Sequence, residues 1–414
     1  MPTFDEARQM ILARINPLGV ERISLLDATG RVIAEDVTAP WDMPLCDNSA
    51  MDGYAVRAVD CVNVPVTLKV IGYIPAGGEV SGAVLAGCAI RIMTGAPLPP
   101  GCDAVVPVEE TDGGSDSVVI NEPVKLRQHI RFTGEDVVTG ETIITRGTLL
   151  RAPEVSMLAS FGKALVPVYR RARVAILSTG DELVELGESL APGRIINSNI
   201  LSLAAAIKEI GAEPVLLGIA RDTRESHLEK MTEGLQADAF ITSAGVSAGD
   251  RDLVREVLAE LGAEQLFWKV AIKPGGPTAF AMYADKPVFS LPGNPVSTMV
   301  TFEAFARPAL LKMMGHRRVI RPLLTATLMS DYHKKPGKLV FLRVRIEVVN
   351  GRLQAFTSGV QQTGLLKTML RADAIALIPA DSAEIKSGAE VRIYLLREEL
   401  LMGEPGDSLK ENGL

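Results

Sequence analysis

Histidine and cysteine are scarce in this chain: its 414 residues hold four of each. The cysteines, Cys46, Cys61, Cys88 and Cys102, form no Cys-x-x-Cys pair and stand beside no histidine cluster. That argues against a zinc site or a redox dithiol. They are expected as buried or half-buried free thiols in a reducing cytosol. His129, His227, His316 and His333 show no His-x-x-x-His spacing and are expected at the surface. Chemistry at neutral pH is thereby left to carboxylates, lysines, hydroxyls and backbone groups. Aromatic residues make up only 5%, a poor supply for the stacking platforms of single-strand nucleic-acid binders. Positive charge is also in deficit. The 43 Lys and Arg stand against 50 Asp and Glu, a net charge of -7, which argues against general nucleic-acid binding. No apolar run approaches the roughly 18 residues of a membrane span. The first residues carry Asp5 and Glu6 and no signal-peptide core. A cytoplasmic protein without membrane or nucleic-acid partners is expected.

What is present is apolar bulk and many turn formers. Apolar residues reach 47%, with 37 Gly and 25 Pro, and the mean hydropathy is +0.20. At roughly 100–200 residues per domain, two to four domains are expected. Thr3 and Glu6 have capping-box spacing, and Phe4, Ala7, Ile11 and Ile15 recur at helical spacing. Residues 1–46 and 142–172, the latter with a helix over 153–161, are read as one discontinuous helical or linker domain. Residues 47–141 are read as a β-rich domain inserted into it. Residues 173–318 differ in kind. Near-continuous apolar runs at 174–177, 215–219, 239–242 and 288–291 alternate with helical stretches, predicting a mostly parallel, doubly wound α/β domain. Within it Asp222, with Glu225, is read as a helix cap, and residues 295–314 as one long helix. Short β-like runs over 319–402 predict a small C-terminal β-barrel, and residues 403–414 read as a polar tail.

Ligands of open α/β sheets bind outside the carboxyl ends of the strands. Four Gly-rich loops fall there: 178–182, 243–252, 273–277 and 291–295. Glycines let backbone N–H groups turn inward, and a following helix N-terminus favours an anion. The P-loop pattern Gly-x-x-x-x-Gly-Lys-Ser/Thr is absent. Asp52, Asp136, Glu182, Asp222, Asp250 and Asp252 recur in similar loop settings and could hold Mg²⁺ beside a phosphate. Asp beside Gly is also ordinary turn chemistry. Lys269, Lys273 and Arg343 are candidate anion ligands, although a surface lysine is the commoner role.

The same residues carry a family resemblance. Asp47 to Ala55, Arg91 to Ala96, Arg131 to Asp136, Ser178 to Glu182, Ser243 to Asp252, Phe267 to Pro277 and Leu291 to Ser297 follow, in order, the motifs of the MoeA family. The chain resembles these molybdopterin molybdenumtransferases and the E domain of gephyrin nearly end to end. The resemblance implies molybdenum insertion into adenylylated molybdopterin, with molybdate and Mg²⁺, giving the molybdenum cofactor and AMP. It implies a homodimer, with each site between the 173–318 domain and the partner's β-rich domain, and a possible pathway adenylyltransferase partner. By motif it assigns catalytic roles to Asp52, Thr94, Asp136 and Glu182. Ser243, Gly245, Val246, Ser247, Lys269, Lys273, Pro292, Asn294, Pro295, Ser297, Arg343 and Thr363 would bind substrate, and Asp222, Asp250 and Asp252 the metal. Where the family's Lys-Pro-Gly motif continues with a second base, this chain has Gly276. Lys269, Lys273 and Arg343 are then expected to hold the anion, with tungstate an alternative to molybdate. Rival readings are a pyrophosphatase related to the competence-damage protein and a non-catalytic, gephyrin-like scaffold.

Overall fold

The computed structural model describes residues 1–80, 82–245 and 253–397. It contains two compact units. One comprises Met1–Ala34, Gly147–Leu150 and the described residues from Val166 onward; the other comprises Glu35–Arg146 and Arg151–Leu165. Residues 1–46 and 142–172 are thus shared between the units.

The smaller unit is built on a five-stranded sheet, with strands in the order Ala104–Pro107, Gly53–Val56, Cys88–Ile92, Val66–Ile74, Ser117–Ile120. Both faces are covered. Tyr54, Leu68, Val106 and Ile120 pack on one side, and Ala55, Ile74, Ile90 and Val105 on the other. Burying such a side chain contributes on the order of 1.5–3 kcal/mol. Gly53 is required sterically: a Cβ there would lie 1.9 Å from the Val106 carbonyl oxygen.

The larger unit starts with helix α1, Phe4–Arg14. Its capping box forms as the sequence indicates. The Glu6 amide donates to Thr3 Oγ1 at 3.3 Å, and the Thr3 amide donates to Glu6 Oε2 at 2.9 Å. Helix α2, Ala152–Ser160, belongs to the smaller unit and matches the helix expected over 153–161. The larger unit's main sheet has six strands: β1 (Arg173–Thr179), β2 (Glu213–Ala220), β3 (Ala239–Ser243), β4 (Glu264–Phe267), β5 (Ala279–Tyr283) and β6 (Lys286–Leu291). Their spatial order is β2-β1-β3-β6-β5-β4. The first four are parallel, and β5 and β4 complete the edge antiparallel.

Alternate residues of β1 face opposite cores. Val174 and Ile176 pack with helix α3 (Ser198–Glu209) through Ile200, Leu203 and Ile207. Ala175 and Leu177 pack with α4 (Arg224–Gly234) and α5 (Leu253–Glu260) through Met231, Val254 and Val257. This is the doubly wound arrangement that the unbroken apolar strands imply.

Three local expectations need correction. The cap of α4 is Thr223, whose Oγ1 accepts from the Ser226 amide at 3.2 Å; the Asp222 carboxylate instead accepts from the Asp181 amide. The helix read over 295–314 is interrupted. Pro295–Thr301 and Arg307–Met313 are α-helical, and Phe302–Ala306 between them is a π-helix. Pro308, with no N–H to give the preceding turn, follows the wide segment. His227 is not a surface residue but 2% exposed, because it shares the inner face of α4 with Met231, four positions on.

The C-terminal barrel is closed. Leu339–Val349 pairs with Arg352–Thr357, Arg352–Thr357 with Leu324–Leu328, Leu324–Leu328 with Glu390–Leu395, Glu390–Leu395 with Ala374–Ile378, and the last pairs back to Leu339–Val349. The short strand Ile272–Lys273 joins the start of Leu339–Val349 in parallel, with Ile272 opposite Leu339. No described helix is long and apolar enough to cross a membrane.

The cysteines divide unevenly. Cys61 is buried, Cys88 and Cys102 are half-buried, and Cys46 is exposed, contrary to the expectation of uniformly sheltered thiols. Burial pushes the Cys61 and Cys102 thiols up to about 11. Brief alkylation with iodoacetamide at pH 7.5, followed by peptide mass spectrometry, should therefore label Cys46 first and leave Cys61 and Cys102 largely unmodified.

Candidate active site

Strands β1, β3 and β6 end level: Ser178 lies opposite Ser243, and Ser243 opposite Leu291. Beyond these ends opens a cleft of about 690 Å³. It lies where the chain, having added β2 on one side of β1, returns to add β3 on the other. That switch point is the usual ligand site of such sheets.

The floor is polar and buried. Asn199 Nδ2 donates to Ser243 Oγ at 2.9 Å and to the Gly293 carbonyl at 2.7 Å. One side chain thus ties α3 to β3 and to the loop after β6. Ser178 Oγ, Asn199 Oδ1 and both polar atoms of Asn197 are buried without a hydrogen-bond partner among the described residues. All three residues line the cleft. Leaving such groups unpaired costs about 1–3 kcal/mol each, a debt that a polar ligand offsets. Asn197 is the N-cap residue of α3, yet its side chain makes no capping bond. The first N–H groups of the helix stay available, and with the helix dipole they favour an anion.

The rim carries the acids. Glu182 and Asp222 are exposed and line the cleft. Asp181 and Asp222 exchange bonds: the Asp181 amide donates to Asp222 Oδ2 at 3.3 Å, and the Asp222 amide donates to Asp181 Oδ1 at 3.2 Å. This fastens the loop after β1 to the loop after β2. Gly180, with φ +136°, makes room for Glu182, whose Oε2 lies 2.2 Å from where a Cβ would stand. His227 also lines the cleft. Its Nδ1 sits 3.0 Å from the Thr223 carbonyl, which can only accept, so Nδ1 donates this bond. Residues 245–249 have the Gly-x-Ser-x-Gly spacing of a hydrolase elbow, but His227 is oriented by this backbone carbonyl, not by a carboxylate.

The other expected site residues are distributed as follows. Ser243, Gly245, Pro292, Asn294 and Pro295 line the cleft. Ser297 is buried in the helix that follows, 3% exposed. Lys269 and Lys273 are exposed and do not line it, although Pro277 of the same loop does. Arg343, in the barrel, is 1% exposed. Its Nε donates to Thr368 Oγ1 at 3.1 Å and its Nη2 to the Gln362 carbonyl at 3.4 Å, next to half-buried Thr363. Val246, Ser247, Asp250 and Asp252 lie outside the described residues.

Asp52, Thr94 and Asp136 belong to the other unit. Asp52 Oδ1 accepts from both the amide and the hydroxyl of Thr94, each at 2.7 Å. Asp47 grips Thr133, and Asp42 grips Thr139, by the same pair of bonds. The Asp52–Thr94 pair is thus also one of three loop clamps. The carboxylate of exposed Asp136 has no hydrogen-bond partner among the described residues.

The carboxylates of Glu182 and Asp222 suit Mg²⁺, which takes one or two carboxylates and keeps its waters and substrate phosphates as other ligands. Among the described residues, the one close trio of potential metal ligands is elsewhere: Asp331, His333 and Glu384, exposed on the barrel. There Lys386 already pairs with Glu384 and Asp331. Asn197, Asn199 and His227 were not among the site residues expected from sequence. The two asparagines flanking Ser198 just ahead of a helical stretch were the available signal; for His227 there was only its place on the apolar face.

A level-ended parallel sheet with a polar cleft at its switch point, attached to a closed barrel, defines a small-molecule-binding α/β protein. The comparisons make this specific. Family models described as MoeA N-terminal region (domain I and II), probable molybdopterin binding domain, and MoeA C-terminal region (domain IV) match residues 2–162, 175–312 and 325–396. Molybdopterin molybdenumtransferase 2 of Mycobacterium tuberculosis is 38% identical over 406 residues, covering 95% of this chain and 99% of that protein. The Haemophilus influenzae molybdopterin molybdenumtransferase is 36% identical over 399 residues, covering 95% and 98%. The crystal structure of a molybdopterin biosynthesis MoeA protein from Pyrococcus horikoshii is 31% identical and superposes with a TM-score of 0.83 over 95% of this chain and 99% of that one. The chain belongs to the MoeA family, and it is an enzyme of molybdenum cofactor biosynthesis.

The hydroxyl and amide of Thr94 hold the Asp52 carboxyl below its ordinary 3.8. A depressed folded-state pKa contributes stability that is present above the unfolded value and lost as pH falls through the folded one. Thr94→Val should therefore move the Asp52 titration, followed by NMR, back toward 3.8 and reduce stability above that pH more than below it.

Proposed function

We propose that the chain inserts molybdenum into adenylylated molybdopterin, using molybdate and Mg²⁺ and releasing AMP, as a cytoplasmic homodimer. The observation that carries this reading is the set of buried polar groups on Ser178, Asn197 and Asn199 in the switch-point cleft that have no hydrogen-bond partner among the described residues. A pterin offers donors and acceptors along its edge, which match asparagine amides and a serine hydroxyl. The open N-terminus of α3 suits the phosphates of an adenylylated substrate.

Each residue then has a defined task. Glu182 and Asp222, with Asp250 and Asp252, would hold Mg²⁺, which when bound supplies charge neutralisation at the phosphoanhydride. Asn199 positions Ser243 and the loop of Pro292, Asn294 and Pro295. Gly245 and Ser297 shape the walls. Lys269 and Lys273 bring positive charge for molybdate, a tetrahedral dianion. Arg343 acts indirectly, since its guanidinium holds Thr368 and Gln362 and so fixes the backbone around Thr363. Asp52, Thr94 and Asp136 are proposed catalytic groups, Asp52 being preset as a carboxylate by Thr94. The dithiolene sulfurs of the substrate take the metal, so protein cysteines are not needed. Substrate would come from the pathway adenylyltransferase.

The test is incubation with adenylylated molybdopterin, Mg²⁺ and either molybdate or tungstate, following AMP release and metal insertion. Metal-dependent release of AMP is expected, and its absence with both oxyanions would overturn the reading. Asn197→Ala should raise KM for the pterin substrate about tenfold, the scale of one lost polar contact. Asp52→Asn and Asp136→Asn should impair turnover while leaving circular dichroism unchanged; full activity in both would refute their catalytic assignment.

A further inference from the structure

We propose that Lys338 is a substrate-positioning residue that supplies the cation for the oxyanion beside Gly276, where the loop contributes no side chain. The proposal rests on the reading of the cleft as a molybdenum-insertion site. Lys338 is 62 positions from Gly276 in sequence and reaches it through strand pairing. The Leu339 amide donates to the Ala271 carbonyl at 3.1 Å, and Leu339 lies opposite Ile272. That register sets Lys338 beside the 270–277 loop. Its Nζ lies 3.9 Å from the point a Cβ on Gly276 would occupy.

The orientation of Gly276 is fixed. Its carbonyl accepts from the Val270 amide at 2.9 Å and from the Thr278 amide at 3.0 Å. The next residue, Pro277, lines the cleft, so the Lys338 ammonium stands one residue from the cleft wall. Lys338 is exposed and forms no ion pair among the described residues. The nearby Lys334 is spent on backbone, its Nζ donating to the carbonyls of Lys338 at 3.0 Å and Ala380 at 3.1 Å. With Lys269 and Lys273 on the same loop, an unpaired ammonium here gives a local positive field in a chain of net charge -7. A tetrahedral oxyanion is the substrate portion that such a group would bind by charge-assisted hydrogen bonds.

Two measurements test this, on the full chain. In equilibrium dialysis with molybdate alone, Lys338→Ala should weaken binding about tenfold, Lys338→Arg should weaken it little, and Gly276→Lys in the Lys338→Ala background should recover most of the loss. In the AMP-release assay, Lys338→Ala should raise KM for molybdate by a similar factor and leave kcat and the pterin KM near wild type. Unchanged molybdate binding in Lys338→Ala, or no recovery in the double variant, would overturn the proposal even if wild type turns over. Failure of wild type to turn over while Lys338→Ala still weakens molybdate binding would overturn the reaction assignment and leave the Lys338 site standing. Absence of oxyanion binding by wild type would overturn the site itself.

Discussion

Three parallel strands, β1, β3 and β6, end level, and their register is the constraint on which the cleft depends. Register in a sheet is set by which side chains must be buried, because a slip of one residue turns every side chain to the opposite face. Here both faces are covered, and each alternate position of β1 is committed to a different core: Val174 and Ile176 to one, Ala175 and Leu177 to the other. A one-residue slip would exchange the two sets between the cores. The apolar packing thereby brings Ser178 level with Ser243 and Ser243 level with Leu291. Polar ends converge because apolar middles leave them no other place.

Convergence also has a cost. Ser178, Asn197 and Ser243 are buried at the strand ends, and Asn199 alone satisfies two of the groups around it. The rest are preorganised at the expense of stability, as functional sites commonly are. The loops are held in place by polar clamps, the Asp181–Asp222 exchange on one side and Asn199 on the other. Acids at the rim can therefore meet a cation without the rim having to refold around it.

How much of this can be read from the chain follows from the range of the interactions. The parallel core was legible because burial on both faces leaves unbroken apolar runs. The capping box at Thr3 was legible because it closes within four residues. The Gly-rich loops at strand ends were legible as a candidate site, and residues of the four loops line the cleft. His227 was misread as a surface residue: its place on the face of α4 that carries Met231 was the one local sign of burial, and the charged residues around it outweighed that sign. The π-helix at Phe302–Ala306 was invisible because the apolar pattern hardly distinguishes it from a continued α-helix. Arg343 was read as an anion ligand from its strand and the family motif; its burial, 1% exposed against Thr368, was not legible, because it depends on barrel closure, a non-local event. Lys338 could not be found by motif at all, because its relation to Gly276 exists only through the pairing of Ile272 with Leu339.

That pairing bears on how charge is maintained in a site. An oxyanion responds to the position of an ammonium group and not to the segment of chain that carries it. A lysine stem of four carbons can span the space left by a missing side chain, provided the backbone that bears it is rigid. The barrel provides that rigidity, since Leu339–Val349 is paired along its length and its start is stitched to Ile272–Lys273. A net charge of -7 is likewise compatible with binding an oxyanion. Exposed charges interact over roughly 8 Å at physiological ionic strength, so the distant acids that set the net charge are screened. The few lysines near the cleft and the N–H groups of α3 weigh more in the local potential than those distant acids.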